Sequence, residues 1–185
     1  MKRHSRLALV ILLALLPSSR AALGQRSYSL GVGGGATFPV GKLSDAQNTG
    51  YNAIVALAIG VPEFPFGVRF DGMYNKLLNN KLLTPSGSAA SSDLRISGGL
   101  INLVFAFPGT SAKPYLIAGG GLYSTKSEIP GAKAKNDFGF NAGVGATFAL
   151  GPFAAFLESR YHTISRNAAD GGVIQFVPVT AGLLF

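Results

Sequence analysis

Of the two histidines in this chain, His4 sits among the first residues, and His162 stands four residues after Glu158 and three before Ser165. A carboxylate, an imidazole and a hydroxyl are the residue types of a hydrolytic triad. In an extended segment, however, side chains alternate between two faces, so Glu158, Arg160 and His162 share one side while Ser165 falls on the other. That spacing favours a buried polar network over a nucleophilic site. With one histidine remaining and no cysteine, neither a His-based nor a thiolate metal site is expected, and no cofactor is expected either. The glycines Gly31, Gly33, Gly34 and Gly35, followed by Gly41-Lys42, have the composition of a phosphate loop but not its order. Ala36 stands five residues before Gly41, where the loop needs glycine, and Leu43 follows Lys42, where it needs a hydroxyl.

A second group of chemistry-bearing residues has the same alternation. Arg69, Asp71 and Asn75 interleave with Val68, Phe70, Gly72 and Tyr74; Asn141 lies between Phe140 and Ala142; Glu158, Arg160 and His162 interleave with Leu157, Ser159 and Tyr161. Charges on one side of strands whose other side is Phe, Val, Leu and Tyr would ruin an apolar ligand cavity of the lipocalin kind. Turned into a narrow polar lumen they can neutralise one another, and leaving them unpaired there would be costly. The expected lumen network is therefore Arg69, Asp71, Asn75, Asn141, Glu158, Arg160 and His162, with Arg69 facing Glu158 and Asp71 facing Arg160.

The elements that must position these residues are strands. Period-two alternation predicts strands over 28–38, 51–61, 66–75, about 94–107, 114–126, 138–148, 153–162 and 174–185. In the first, Tyr28, Leu30, Val32 and Phe38 alternate with glycine and Thr37; in the sixth, Phe138, Phe140, Val144 and Phe148 alternate with Gly139, Asn141, Gly143 and Gly145. Ile54 breaks the small-or-polar rule of the inward face, and Gly119-Gly120-Gly121 leaves the facing of the fifth strand open. For the fourth, Ile101, Leu103 and Phe105 outward with Asn102 inward fits better than the reverse. Pro178 has no N–H to donate, which predicts an irregularity or bulge in the last strand. Loops are expected at 39–50, 77–93, 128–136 and 166–172, with shorter turns between, and this alternation of long and short connections suits an even-numbered antiparallel barrel. Aromatic girdles are expected from Phe64, Phe66, Phe105, Phe107, Tyr115, Phe148, Phe153 and Phe185 at one end. Phe38, Tyr51, Tyr74, Tyr123, Phe138 and Tyr161 would form the girdle at the other. The expected fold is all-β, an eight-stranded antiparallel up-and-down transmembrane barrel whose interior is just wide enough for side chains to fill.

Ahead of it, Lys2, Arg3 and Arg6 precede the apolar run Leu7 to Leu16, and Ala22-Leu23-Gly24 supplies a small-x-small cleavage site. Residues 1–24 are thus expected to be a signal peptide and 25–185 the barrel domain. Without Lys2, Arg3, Arg6 and Arg20 the net charge falls from +8 to +4, so the basic balance is partly an export signal and no nucleic-acid partner is expected. At the loop end, Lys42, Lys76, Lys81, Arg95, Lys126, Lys133, Lys135 and Arg166 outnumber Asp45, Asp93, Glu128, Asp137 and Asp170. Those charges read first as a solvated loop surface, with attraction to lipopolysaccharide phosphates as the alternative.

Gly34-Gly35-Ala36-Thr37-Phe38-Pro39-Val40-Gly41, Arg69-Phe70-Asp71-Gly72-Met73-Tyr74, Pro114 to Gly121, Glu158-Ser159-Arg160-Tyr161-His162 and the end from Val177 to Phe185 together resemble the small bacterial outer-membrane β-barrel domains, OmpA- and OmpX-like. The resemblance implies a Gram-negative outer-membrane location after export, and a structural or surface-interaction role through four external loops without established chemistry. It also implies that the apolar face Val177, Val179, Ala181, Leu183 and Phe185 is read by the outer-membrane insertion machinery, after periplasmic chaperones have carried the chain. Outer-membrane lipids are the expected partners, with lipopolysaccharide as a candidate among them, and a monomer is the expected state. Two alternatives are a lipid A deacylase-like enzyme, whose closer His-x-Ser spacing this chain lacks, and a narrow channel or small-solute binder.

Overall fold

The computed structural model describes residues 28–60, 64–79, 92–166 and 172–185. The expected signal peptide, and the loop charges Lys81 and Asp170, lie outside the described residues. Eight strands close into an antiparallel barrel in chain order: β1 (Tyr28–Val40), β2 (Gln47–Gly60), β3 (Phe66–Asn79), β4 (Leu94–Ala106), β5 (Ala112–Ser127), β6 (Lys135–Leu150), β7 (Phe153–Ile164) and β8 (Ile174–Leu184). β8 pairs back onto β1, from Gly31 opposite Leu184 to Val40 opposite Gln175, so no edge strand is left with unpaired backbone. Among the described residues no helix is long and apolar enough to cross a membrane, and the candidate crossings are these strands.

The boundaries differ from the expectation in ways that backbone pairing explains. The expected loop 39–50 contains the end of β1, a four-residue helix α1 (Leu43–Ala46) and the start of β2. Here β2 and β3 change register between Asn48 and Tyr51. Gly50 lies in that irregularity with its backbone so close to Lys76 that a Cβ would stand 1.7 Å from the Lys76 carbonyl oxygen. β3 runs on to Asn79 and β6 begins at Lys135, both beyond the expected limits, because pairing with β4 to Leu77 and with β2 to Asn79 holds the first, and pairing with β5 the second, after the apolar alternation has faded. Opposite Pro178 the β7–β8 ladder lapses around Arg160 and Tyr161, yet it resumes unshifted at His162 and Phe176. Pro178 therefore interrupts pairing without making a bulge.

Large apolar side chains cover the outer wall, including Val55, Phe70, Ile101, Leu103, Leu122, Phe140, Val144 and Leu157. Phe66 with Phe105, Phe105 with Phe107, and Phe153 with Phe185 form ring contacts at the end that carries the chain termini, and Tyr51 meets Tyr74 at the loop end. Tyr115 and Tyr123 do not belong to these girdles. Both point inward and are buried, which settles the facing of β5.

Candidate functional site

The lumen is built in layers, and register decides which residues share a layer. At the terminal end a vestibule of about 420 Å³ opens between Ala58, Gly67, Val104, Thr147 and Phe156 and stops at Arg69. Above it lies a ring of four ions from only two strands, Arg69 and Asp71 on β3 and Glu158 and Arg160 on β7. Arg69 grips Glu158 with both terminal nitrogens, Nη1 to Oε2 at 2.8 Å and Nη2 to Oε1 at 2.8 Å. Arg160 places Nε 2.8 Å from Glu158 Oε1 as an ion pair and donates through Nη1 to Asp71 Oδ2 at 2.8 Å. The circuit closes where Arg69 donates to Asp71 Oδ2 at 3.2–3.3 Å; Asp71 Oδ1 lies 3.0 Å from Arg69 Nε without the alignment of a hydrogen bond. Cation and anion alternate around the ring, its net charge is zero, and each side chain is at most 7 % exposed. Such burial is tolerable only because the charges are paired and their remaining lone pairs accept further hydrogen bonds.

Those further bonds come from Tyr115, which the sequence reading placed in a girdle, and from Asn102 and Asn141, which it turned inward. Tyr115 OH donates to Glu158 Oε2 at 2.8 Å, and Asn102 Nδ2 donates to Asp71 Oδ2 at 2.8 Å. Asn141 joins through Asn102, donating to its Oδ1 at 2.8 Å. Room for these groups is made by glycine on the adjoining strand. A Cβ on Gly143 would stand 2.7 Å from Arg160 Cγ, and one on Gly145 would stand 2.3 Å from the Tyr115 ring.

Asn75 and His162 lie apart from the ring. Asn75 accepts from Thr37 Oγ1 at 2.7 Å. His162 is fully buried, stacked on Phe176 at 4.8 Å, with Nδ1 2.9 Å from Tyr123 OH. Around it the loop-end half of the lumen is apolar, filled by Met73, Leu77, Ile96, Leu100, Tyr123, Ile164, Ile174 and Phe176. Leu43 of α1 and Leu94 pack against this plug. Ile54, inward and buried, departs from the polar-lumen rule as these residues do. The lumen is polar in its middle and apolar above.

The candidate triad is not assembled. Glu158 is held by Arg69, Arg160 and Tyr115, His162 turns to Tyr123, and Ser165 is exposed past the end of β7. Val179, Ala181 and Leu183 are exposed on the outer wall, with Val177 and Phe185 half-buried on the same side.

At the loop end a second set of charges faces outward. Lys76, Arg95 and Lys126 are register partners across β3, β4 and β5. Glu128, in the loop after β5, receives Lys76 Nζ at 3.1 Å and pairs with Arg95, while Asp93 receives Lys76 at 3.0 Å. The hydrogen bond from Lys76, aided by that from Arg95, holds the Glu128 carboxyl below its ordinary range. Arg166 donates to Asp137 at 2.8 Å on the other side of the rim.

Compared with protein-family models, the chain matches none, and a comparison with curated proteins gives no match. Solved structures do match. Neisserial surface protein A (NspA) superposes with a TM-score of 0.64 at 17% identity, over 86% of this chain and 96% of that one. A major outer membrane protein from Thermus thermophilus superposes with a TM-score of 0.50 at 14% identity, over 86% of this chain and 99% of that one. This chain has the fold of the small outer-membrane β-barrels.

Proposed function

We propose that a chain with this fold serves as an integral outer-membrane protein without chemistry of its own. It is a water-tight cylinder with a structural or surface-interaction role carried by its loop end. The observation that supports this most directly is the lumen: a closed, net-neutral ring of Arg69, Glu158, Arg160 and Asp71 under an apolar plug, inside a wall of exposed Phe, Leu, Ile and Val. Ions and solutes would have to displace both layers, which argues for a seal rather than a channel. In this reading the chain is exported by residues 1–24 and carried by periplasmic chaperones. The insertion machinery takes it up through the outward face of Val177, Val179, Ala181, Leu183 and Phe185.

The test is reconstitution. The folded protein in planar bilayers is expected to show no unitary conductance, and in gels to migrate faster before boiling than after. Resolved conductance steps would overturn the seal, and identical mobility in the two gel samples would overturn the barrel. A tag placed at 128–134 is expected to be accessible on intact cells. Lipid A mass spectra are expected to be the same with and without the gene, whereas a missing acyl chain in its presence would favour the deacylase alternative.

A further inference from the structure

The outer wall has a hollow on one side. Between β2 and β5 a groove of about 680 Å³ lies along the lipid-facing surface near the loop end. Its floor is the register pair Gly72 and Gly99, flanked by Val55 and Leu122. A Cβ added at either glycine would meet nothing within 4 Å, so the space lies open to whatever surrounds the barrel. A second hollow of about 440 Å³ shares Gly72 and Gly99 and continues toward Phe70 and Ile101. Around the barrel on β6, by contrast, Phe138 and Phe140 pack edge to face at 5.0 Å and cover Gly120, where a Cβ would stand 3.2–3.3 Å from their rings.

Chemistry changes in order along these strands. Two residues above the glycines, Tyr74, Ser97 and Ser124 form one register row of hydroxyl-bearing side chains. Two residues higher, Lys76, Arg95 and Lys126 form the next. Cations and groove floor are therefore separated by four residues of extended chain, about 14 Å. Beside the cations is a polar pocket of about 370 Å³ lined by Arg95, Lys126, Ser127 and Glu128 with the 129–132 segment. Lys126 has no ion-pair partner among the described residues, and Arg95 is half exposed while braced by Glu128. Counting Asp93 and Glu128, the cluster carries one excess positive charge.

Apolar trough, hydroxyl row and cation row reproduce in sequence the acyl chains, ester and hydroxyl groups, and phosphate of an anionic lipid. The width favours a lipid with several chains. Four strands span three inter-strand spacings, about 14 Å, more than one acyl chain needs. Resting on the reading of the chain as an outer-membrane barrel, we infer that this face is a specific site for a phosphorylated, multiply acylated glycolipid of the outer leaflet. Its phosphate would be taken by Lys126 and Arg95 and its chains by the Gly72–Gly99 groove. Glu128, which would repel phosphate at close range, bridges Lys76 and Arg95 and offsets their mutual repulsion.

The test uses folded protein released from phosphatidylcholine vesicles containing a minor fraction of bisphosphorylated lipid A, its dephosphorylated form, or phosphatidylglycerol, with retained lipid identified by native mass spectrometry. The bisphosphorylated glycolipid is expected to be retained in preference to the other two. Lys126→Gln and Arg95→Gln are each expected to lower its retention about fivefold, the order of effect of one cation at an anionic lipid surface. Gly99→Phe, whose ring would occupy the open trough, is expected to lower retention with heat-modifiable mobility unchanged, and Leu103→Phe, outside the groove, to change neither. Equal retention of the phosphorylated and dephosphorylated forms, or of phosphatidylglycerol, would overturn the site while leaving the barrel reading intact. Displacement of the glycolipid by inorganic phosphate would overturn the role of the groove. Loss of heat-modifiable mobility in the parent protein would overturn the reading beneath it, and the site with it.

Discussion

Removing one member of the lumen ring should cost more than removing an opposed pair, and the structure sets the size of the difference. In Arg69→Met, Glu158 loses both contacts of the guanidinium fork and keeps Arg160 Nε and Tyr115 OH; Asp71 keeps Arg160 Nη1 and Asn102. The ring is left with two carboxylates around one cation and a net charge of −1, which places the loss at about 3–5 kcal/mol. In Glu158→Leu the imbalance is reversed, with two guanidinium groups around Asp71, and the loss should be similar. The double variant keeps the neutral Asp71–Arg160 pair and Asn102, and its main defect is the buried Tyr115 hydroxyl, worth about 1–3 kcal/mol. The double variant should therefore be no less stable than either single one, with a coupling energy of about 3 kcal/mol or more from the cycle. The assay is urea unfolding in lipid vesicles, read by the mobility of the unboiled band. Single losses below about 1 kcal/mol that simply add would refute the claim that these charges are sealed from water and hold one another.

Glycine on the inner face should be far less tolerant than glycine on the outer. Gly143→Ala, whose methyl would stand 2.2 Å from the Ser159 carbonyl oxygen and 2.7 Å from Arg160, is expected to cost about 1–3 kcal/mol in the same unfolding assay, against within about 0.5 kcal/mol for Gly99→Ala. Because Glu128 is held below its ordinary range, the stabilisation from its pairs with Lys76 and Arg95 is present above the unfolded carboxyl range near 4.5 and is lost as pH falls through the lower folded value. Unfolding curves from pH 7 to 3 should show that acid-limb loss shrinking in Glu128→Gln; an unchanged acid limb would exclude the rim pairs as its source. Phe185→Ala should slow assembly by purified insertion machinery while leaving spontaneous folding into vesicles nearly unchanged, and equal slowing in both would make the aromatic end a packing element with Phe153.

How far the molecule was legible in the sequence follows from what each signal depends on. Outward faces were legible because lipid or solvent tests every side chain on that side alike: Tyr28 to Phe38 and Phe138 to Phe148 alternate without knowledge of any neighbour. The charged ring was legible for the same reason, since Arg69, Asp71, Glu158 and Arg160 had no other side to take. Tyr115 and Tyr123 were misplaced because an aromatic near a strand end looks the same whether it faces a membrane interface or a lumen. What turns them inward is glycine on another strand, Gly145 under the Tyr115 ring and Gly139 under the Tyr123 ring, and that needs register. The apolar plug was hidden likewise: Ile54 read as an exception until Met73, its register partner, stood beside it.

The same register argument explains why the interior and exterior divide the work of this chain. Inside, every inward glycine that meets a bulky neighbour, such as Gly143 with Arg160 or Gly182 with Phe156, lets a large side chain cross a narrow lumen and fill it. Among the described residues, the side chains that fill the lumen leave a vestibule of about 420 Å³ under Arg69. Outside, Gly72 and Gly99 do the opposite: a Cβ at either would meet nothing within 4 Å, and the pair floors a trough. On the surfaces that alternation places outward, the Lys76, Arg95 and Lys126 row carries its charge without the cost of a sealed interior.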